Sequence, residues 1–238
     1  MINTAKSQKS NASDIPKDGW VKHYLPTMLW PYATIARFDR PIGTWLLLFP
    51  GWWSLALATK DWTSSVGVQA FTLWYFVLFG IGAVVMRGAG CVLNDITDRE
   101  FDAKVARTSD RPIPSGSISV YQATIYMILL SLIGFIILIQ FNRFTVIIGS
   151  ASLLLVVIYP FMKRITYWPQ FVLGLTFNWG ALLGWAAVKG DIQIPAIVLY
   201  VAGIFWTLGY DTIYAHQDKE DDSTIGIKSS ALKLGGST

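Results

Sequence analysis

The chain has 238 residues, of which 53% are hydrophobic and 14% are charged, with a formal net charge of +4. Soluble domains average about 25% charged residues, so this composition excludes an ordinary soluble protein and indicates a membrane protein. The small positive charge is not a nucleic-acid signature, and no nucleic acid is expected among the partners. The single cysteine, Cys91, excludes an internal disulfide, and we expect it to be a small buried apolar side chain.

Residues 1–25 are polar, carry four lysines and contain no apolar core. They match neither a secretory signal peptide nor an arginine-rich transit peptide. We therefore predict a disordered cytoplasmic leader at residues 1–25, followed by a transmembrane domain at residues 26–238.

Six apolar segments follow, each close to the roughly 20 residues that a helix needs to cross a bilayer. The segments are continuously apolar rather than alternating, which favours helices over a membrane barrel. The sequence thus predicts an all-α, polytopic transmembrane helical bundle embedded in a lipid bilayer. The predicted spans are residues 42–58, 71–93, 118–139, 144–162, 168–188 and 194–210.

Positive charge predicts the orientation of these spans, because lysine and arginine are enriched in cytoplasmic loops. The leader, the second-to-third loop, the fourth-to-fifth loop and the tail are basic, whereas the alternate loops hold only Lys60, Arg143 and Lys189. Both termini of the chain are therefore expected on the cytoplasmic side.

The second predicted span ends in residues 94–102, which read NDITDREFD. If the helix continues through this stretch, Asn94, Asp98 and Asp102 are four residues apart and share one face. Carboxylates this close repel one another unless a cation lies between them. Mg²⁺ prefers oxygen ligands and often shares them with substrate phosphates.

A second acidic cluster follows the sixth predicted span, on the same predicted side of the membrane. Asp211, Asp218 and Asp222 are seven and four residues apart, which is again helical spacing, and Tyr214 is in phase with them. We expect the two clusters to come together at the mouth of a membrane cavity. Such a site would bind Mg²⁺ and a diphosphate, whose departure from an allylic carbon the metal assists.

The motifs resemble those of the UbiA-type intramembrane prenyltransferases. The pattern N-D-x-x-D-x-x-x-D is matched at Asn94, Asp95, Asp98 and Asp102. The pattern D-x-x-Y-A-x-x-D-x-x-D-D is matched at Asp211, Tyr214, Ala215, Asp218, Asp221 and Asp222. Three flanking stretches also match, DRPIGTW at residues 39–45, RPIPSG at 111–116 and YPFMKR at 159–164, and the resemblance covers about residues 29–234.

This resemblance implies nine helices around a lipid-open cavity, of which the sequence predicts six, so the domain is expected to be truncated at its C-terminus. It implies Mg²⁺-dependent transfer of a chain from a polyprenyl diphosphate to the ring carbon ortho to the hydroxyl of 4-hydroxybenzoate, in ubiquinone biosynthesis. The expected location is the bacterial inner membrane, with the mitochondrial inner membrane as the alternative.

The resemblance also assigns roles to individual residues. The metal residues would be Asn94, Asp98, Asp102, Asp218 and Asp222. The catalytic residues would be the four aspartates of that set together with Arg164. The substrate-binding residues would be Arg37, Asp95, Arg99, Lys163, Arg164, Asp211 and Tyr214, with Arg37 expected to bind the carboxylate of the aromatic acid.

Two alternatives stay open at this point. One is a related transferase that uses a haem, a chlorophyllide, a homogentisate or a naphthoate as acceptor. The other is a divalent-cation transporter, which would need polar residues deep in several spans. Arg87 and Asn178 are nearly the only such residues here, and their scarcity argues against transport.

Overall fold

The computed structural model describes residues 13–16, 18–59, 66–105, 107–218 and 228–235, and for residues 66–70 and Asp218 only the backbone. These residues form helices and no strand, which confirms the predicted all-α class. The helices are α1 (Trp20–Tyr24), α2 (Trp30–Ile35), α3 (Ile42–Ala58), α4 (Val66–Asp102), α5 (Val120–Leu138), α6 (Arg143–Ile165), α7 (Pro169–Phe177), α8 (Gly180–Lys189), α9 (Ile194–Ala215) and α10 (Ser230–Leu234).

Five helical segments of the described chain are long and apolar enough to cross a membrane, so this is a multi-pass membrane protein. They are Phe71–Asp102, Val120–Leu138, Arg143–Ile165, Pro169–Lys189 and Ile194–Ala215. The first predicted span, residues 42–58, is a helix with those bounds but has only 17 residues.

The fifth predicted span is a helix broken in two rather than one continuous helix. Helix α7 ends at Phe177 and α8 begins at Gly180. Asn178 lies at the break and is buried, with Nδ2 donating to the Gly174 carbonyl at 2.9 Å and to Thr207 Oγ1 of α9 at 2.9 Å. The side-chain amide therefore links the break in this span to α9.

The chain divides into two compact units. The first unit comprises Met1–Ile42 and Val85–Leu132, and the second comprises Gly43–Val84 and Ile133–Thr238. Ile35, Val92, Ile118 and Ala123 form a buried cluster in the first unit. This core fixes the C-terminal part of α4 against α2 and the start of α5, and so positions the first acidic motif.

Close helix packing in the second unit depends on small residues. A Cβ on Gly184 of α8 would lie 2.5 Å from the Gly51 carbonyl oxygen of α3 and 2.9 Å from Ser54 Cβ. Only a glycine allows this approach, as in other membrane helix pairs. The Ser54 hydroxyl donates to the Ala181 carbonyl across the same contact.

The described part of the predicted leader carries structure, contrary to the expectation of disorder through residue 25. Residues 20–24 form α1, and Val21 is 3% exposed. The physical reason is a set of polar contacts at Asp14 and the buried side chain of Val21, neither of which can be detected from the local sequence of a lysine-bearing segment. Residues 1–12 and Lys17 lie outside the described residues.

Candidate active site

The first acidic motif lies on the last turns of α4, which continues as a helix to Asp102, as predicted. Asp95, Asp98 and Asp102 are buried, with 0%, 5% and 8% of their surface exposed. Asn94 is half-buried, and Arg99 is exposed and paired with Glu100 at 3.3 Å. Three carboxylates of one motif are thus removed from solvent, and buried carboxylates require compensating charge.

Asp95 receives that charge from two arginines of the first unit. Its Oδ1 lies 2.8 Å from Arg37 Nη2 and 3.3 Å from Arg111 Nη1. Arg37 and Arg111 are themselves largely buried, with 11% and 12% of their side chains exposed. A buried pair of this kind is stable only while both partners are present.

Arg111 connects three carboxylates that come from two segments of the chain. Its Nη1 also lies 2.9 Å from Asp102 Oδ2, and its Nη2 lies 2.9 Å from Asp14 Oδ2. Burial alone would lower the pKa of Arg111, but Asp95, Asp102 and Asp14 together raise it above its ordinary value. The guanidinium is therefore a permanent cation within the motif.

Arg37 occupies an unusual backbone conformation. It follows helix α2 with φ at +59°, the only positive φ at a described residue other than glycine. The Phe38 amide bonds to the Ala33 carbonyl at 2.9 Å, which is the pattern of a helix end normally closed by glycine. An arginine in this conformation costs about 1 kcal/mol, and its pairing with Asp95 offsets that cost. This pairing with Asp95 was not predicted, because the sequence analysis assigned Arg37 only to an aromatic acid.

The second acidic motif lies at the end of α9, in the second unit. Asp211 is half-buried and Tyr214 is 52% exposed. The α-helix ends at Ala215, and His216–Asp218 form a 3₁₀ turn. A 3₁₀ turn advances about 120° per residue rather than 100°, so the three positions after Ala215 rotate by about 60° more than a continuing α-helix would. The side chain of Asp218 and all of Asp221 and Asp222 lie outside the described residues.

Two basic residues of the YPFMKR stretch lie in the last turn of α6. The Lys163 carbonyl accepts from the Lys228 amide at 2.9 Å. The Arg164 guanidinium lies 5.7 Å from the centre of the Phe161 ring. Lys163, Arg164 and Asp211 of the predicted site all belong to the second unit.

The described part of the chain contains no group of three His, Cys, Asp or Glu side chains arranged to hold a metal ion. The donor chemistry of the first motif nevertheless suits a hard cation, since Asn94, Asp98 and Asp102 offer an amide oxygen and two carboxylates along one helix face. Asp98 and Asp102 are buried there. A cation binding at Asp102 would share that carboxylate with Arg111 or displace the arginine.

Asp14 and Arg111 belong to this network and were missed as site residues. The RPIPSG stretch that begins at Arg111 was noticed, but its partner at position 14 is 97 residues away.

Cys91, expected to be buried, is 4% exposed, and Arg87 Nη1 contacts its sulfur.

Comparison with known proteins identifies the family of this chain. A model described as the UbiA prenyltransferase family matches residues 47–238. The chain is 51% identical over 233 residues to a protein of Arabidopsis thaliana named 4-hydroxybenzoate polyprenyltransferase, mitochondrial, with 97% of this chain and 56% of that protein covered. The chain spans about half the length of the curated relatives it matches.

Two solved structures show the same fold. An apo structure of a UbiA homologue from Aeropyrum pernix K1 superposes with a TM-score of 0.67 at 23% identity, covering 82% of this chain and 71% of that one. A UbiA homologue from Archaeoglobus fulgidus bound to DMAPP and Mg²⁺ gives a TM-score of 0.66 at 19% identity, covering 86% and 69%. With its motifs, its helices and a family match over residues 47–238, the chain belongs to the UbiA prenyltransferase family.

Proposed function

We propose that this chain provides the two acidic motifs of a Mg²⁺-dependent transferase that joins a polyprenyl chain to 4-hydroxybenzoate in ubiquinone biosynthesis. The observation that carries the proposal is the buried acidic face of α4 in a chain that is 51% identical to a protein named for that activity. The polyprenyl diphosphate is the donor, and the bilayer holds its apolar tail.

The metal residues proposed are Asn94, Asp98, Asp102, Asp218 and Asp222. Their oxygen atoms are the donors that Mg²⁺ prefers, and a structural neighbour from Archaeoglobus fulgidus is described as bound to DMAPP and Mg²⁺. When bound, the metal would neutralise the charge that develops on the diphosphate as the C–O bond breaks.

The protein's own cations would hold the other diphosphate oxygens. The candidates are Arg99 on α4 and Lys163 and Arg164 on α6. A basic residue is effective here because the negative charge that develops on the diphosphate strengthens its interaction in the transition state. The electron pair of the broken C–O bond leaves with the diphosphate. The allylic cation is then attacked by the ring carbon ortho to the hydroxyl, and loss of the proton from that carbon restores the aromatic ring.

The remaining residues would orient the two substrates. We assign the carboxylate of the aromatic acid to Arg37, whose guanidinium has five N–H donors, of which Asp95 and the Thr34 carbonyl are seen to use two. Asp95 holds Arg37 in place. Asp211 and Tyr214 are assigned to the donor side, together with Lys163 of the same unit.

The proposed location is an inner membrane with both motifs on the face that carries the basic loops. The curated relatives are named mitochondrial, so the mitochondrial inner membrane stands beside the bacterial inner membrane predicted from the sequence.

The test is prenyl transfer by membranes that contain the chain, supplied with labelled 4-hydroxybenzoate and a polyprenyl diphosphate. We expect labelled lipid in the presence of Mg²⁺, none after removal of the metal with a chelator, and none with Asp98→Asn. Homogentisate and a naphthoate offered in parallel identify the acceptor. Transfer only to one of those acceptors, or no transfer while membranes of a curated relative are active in the same assay, would contradict the proposal.

A further inference from the structure

Asp14 connects residues 13–16 to the rest of the first unit. Its amide donates to the Arg107 carbonyl at 3.0 Å, and its own carbonyl accepts from Arg40 Nη1. Its carboxylate oxygen Oδ2 accepts from Arg111 Nη2 at 2.9 Å and from Arg111 Nε at 3.3 Å. Asp14 thus binds the loop that carries Arg111 through both its backbone and its side chain.

The two hydrogen bonds to the Asp14 carboxylate fix the orientation of the Arg111 guanidinium. The edge formed by Nε and Nη2 faces Asp14, while Nη1 faces Asp102 at 2.9 Å and Asp95 at 3.3 Å. A guanidinium is planar and its donors have a fixed geometry. Holding one edge therefore determines where the third nitrogen lies relative to the acidic motif.

We propose that Asp14 is a positioning residue for the first acidic motif, acting through Arg111 to set how strongly Asp95 and Asp102 are neutralised and so how readily the motif binds a divalent cation. The inference rests on the proposed function for its metal. It extends that function to a segment outside residues 47–238, the part matched by the family model.

The charges of the network give the direction of the effect. One guanidinium is shared by three carboxylates, so removing the Asp14 charge leaves the whole cation to Asp95 and Asp102. Burial raises the pKa of Asp14, but Arg111 and Arg40 more than offset it and hold the pKa below its ordinary value. Asp14 is therefore ionised at neutral pH. Without its carboxylate the motif has one negative charge fewer and an arginine held more tightly, and both changes oppose binding of a cation.

The experiment compares the full chain with Asp14→Asn, Asp14→Glu and the control Asp18→Asn. Asp18 lies four residues away, is exposed and makes no polar contact with another described residue. The first measurement, without metal, is the rate of Arg111 modification by phenylglyoxal, followed by peptide mass spectrometry. The second is the concentration of Mg²⁺ alone that gives half of the metal-dependent rise in Tm.

We expect Asp14→Asn to change the Arg111 modification rate and to raise the half-saturating Mg²⁺ concentration by about fivefold, which corresponds to about 1 kcal/mol. Asp14→Glu, which keeps the charge, should restore most of the Mg²⁺ response. Asp18→Asn should match the unmodified chain in both measurements.

An unchanged Arg111 modification rate in Asp14→Asn would overturn the inference. So would a lower Tm with an unchanged Mg²⁺ dependence, because that result describes a purely structural clamp. If the unmodified chain shows no response to Mg²⁺, the metal of the proposed function fails, and the modification rate alone then decides whether Asp14 positions Arg111.

Discussion

The two acidic motifs contain similar residues in different surroundings. On α4, Asp95, Asp98 and Asp102 are at most 8% exposed, and Arg37 and Arg111 contact two of the three. At the end of α9, Asp211 is half-buried, Tyr214 is 52% exposed, and the helix changes to a 3₁₀ turn before Asp218. The first motif is therefore compensated by fixed cations of its own unit.

This difference indicates different roles for the same residue type. Carboxylates that are buried and paired with arginine contribute to the stability of the fold in addition to binding a ligand. A half-buried carboxylate at a helix end contributes less to folding. Substitutions in the first motif should then affect stability and activity together. Substitutions in the second motif should affect activity with little change in stability.

The largest expected effect is loss of prenyl transfer in Asp98→Asn and in Asp218→Asn. Each variant removes one anionic oxygen from the proposed metal site, and we expect kcat/KM to fall by about 10³-fold or more. Asp18→Asn is the control, since Asp18 is exposed and makes no polar contact with another described residue. Normal turnover in either aspartate variant would remove the metal assignment of its motif.

The next largest expected effect is a difference between the two motifs in the free energy of unfolding. Asp95→Ala leaves two largely buried arginines without that carboxylate, and we expect a loss of about 3 kcal/mol. Asp211→Ala removes a half-buried carboxylate for which the described residues show no ion pair, and should cost about 1 kcal/mol or less. Unfolding in detergent micelles gives both values. Equal losses would show that the contrast in burial has no energetic counterpart.

Arg37 provides a finer comparison through Arg37→Ala and Arg37→Gly. Both remove the guanidinium, so both should raise the KM for the aromatic acid more than the KM for the prenyl donor. Only glycine adopts a positive φ without strain, so Arg37→Gly should be more stable than Arg37→Ala by about 1 kcal/mol. A larger rise in the KM for the donor would reassign Arg37 to the diphosphate. Equal stability would mean that the backbone at this position is unstrained.

The smallest effect concerns a neutral contact within a span. A double-mutant cycle with Asn178→Ala and Thr207→Val should give a coupling energy of about 0.6 kcal/mol, the average for hydrogen bonds between membrane helices. Thermal unfolding of the four proteins measures this value. A coupling energy as large as the Asp95 effect would place the main polar stabilisation within the membrane rather than in the ion network.

The sequence predicted the helices well because a continuous apolar segment is a local property. The observed α3 begins and ends where predicted, and α4 continues through the motif to Asp102. The ion network could not be predicted in this way, since Arg37 and Asp95 are 58 residues apart and Arg111 and Asp14 are 97 apart. The break at Asn178 was also missed, because a single amide in an apolar segment does not alter the mean hydropathy that defines a span.

The interrupted helix has a consequence for how the protein is made. Helix α7 has nine residues, too few to cross a bilayer alone, so α7 and α8 must enter the membrane as one segment. The Asn178 amide that caps the break donates to Thr207 on the following helix. During synthesis that acceptor emerges 29 residues later. The Gly174 carbonyl can accept one N–H of this amide from the start. Until α9 has been inserted, the other N–H needs a temporary partner, such as water or the translocation machinery, so this segment reaches its final form only after α9 arrives.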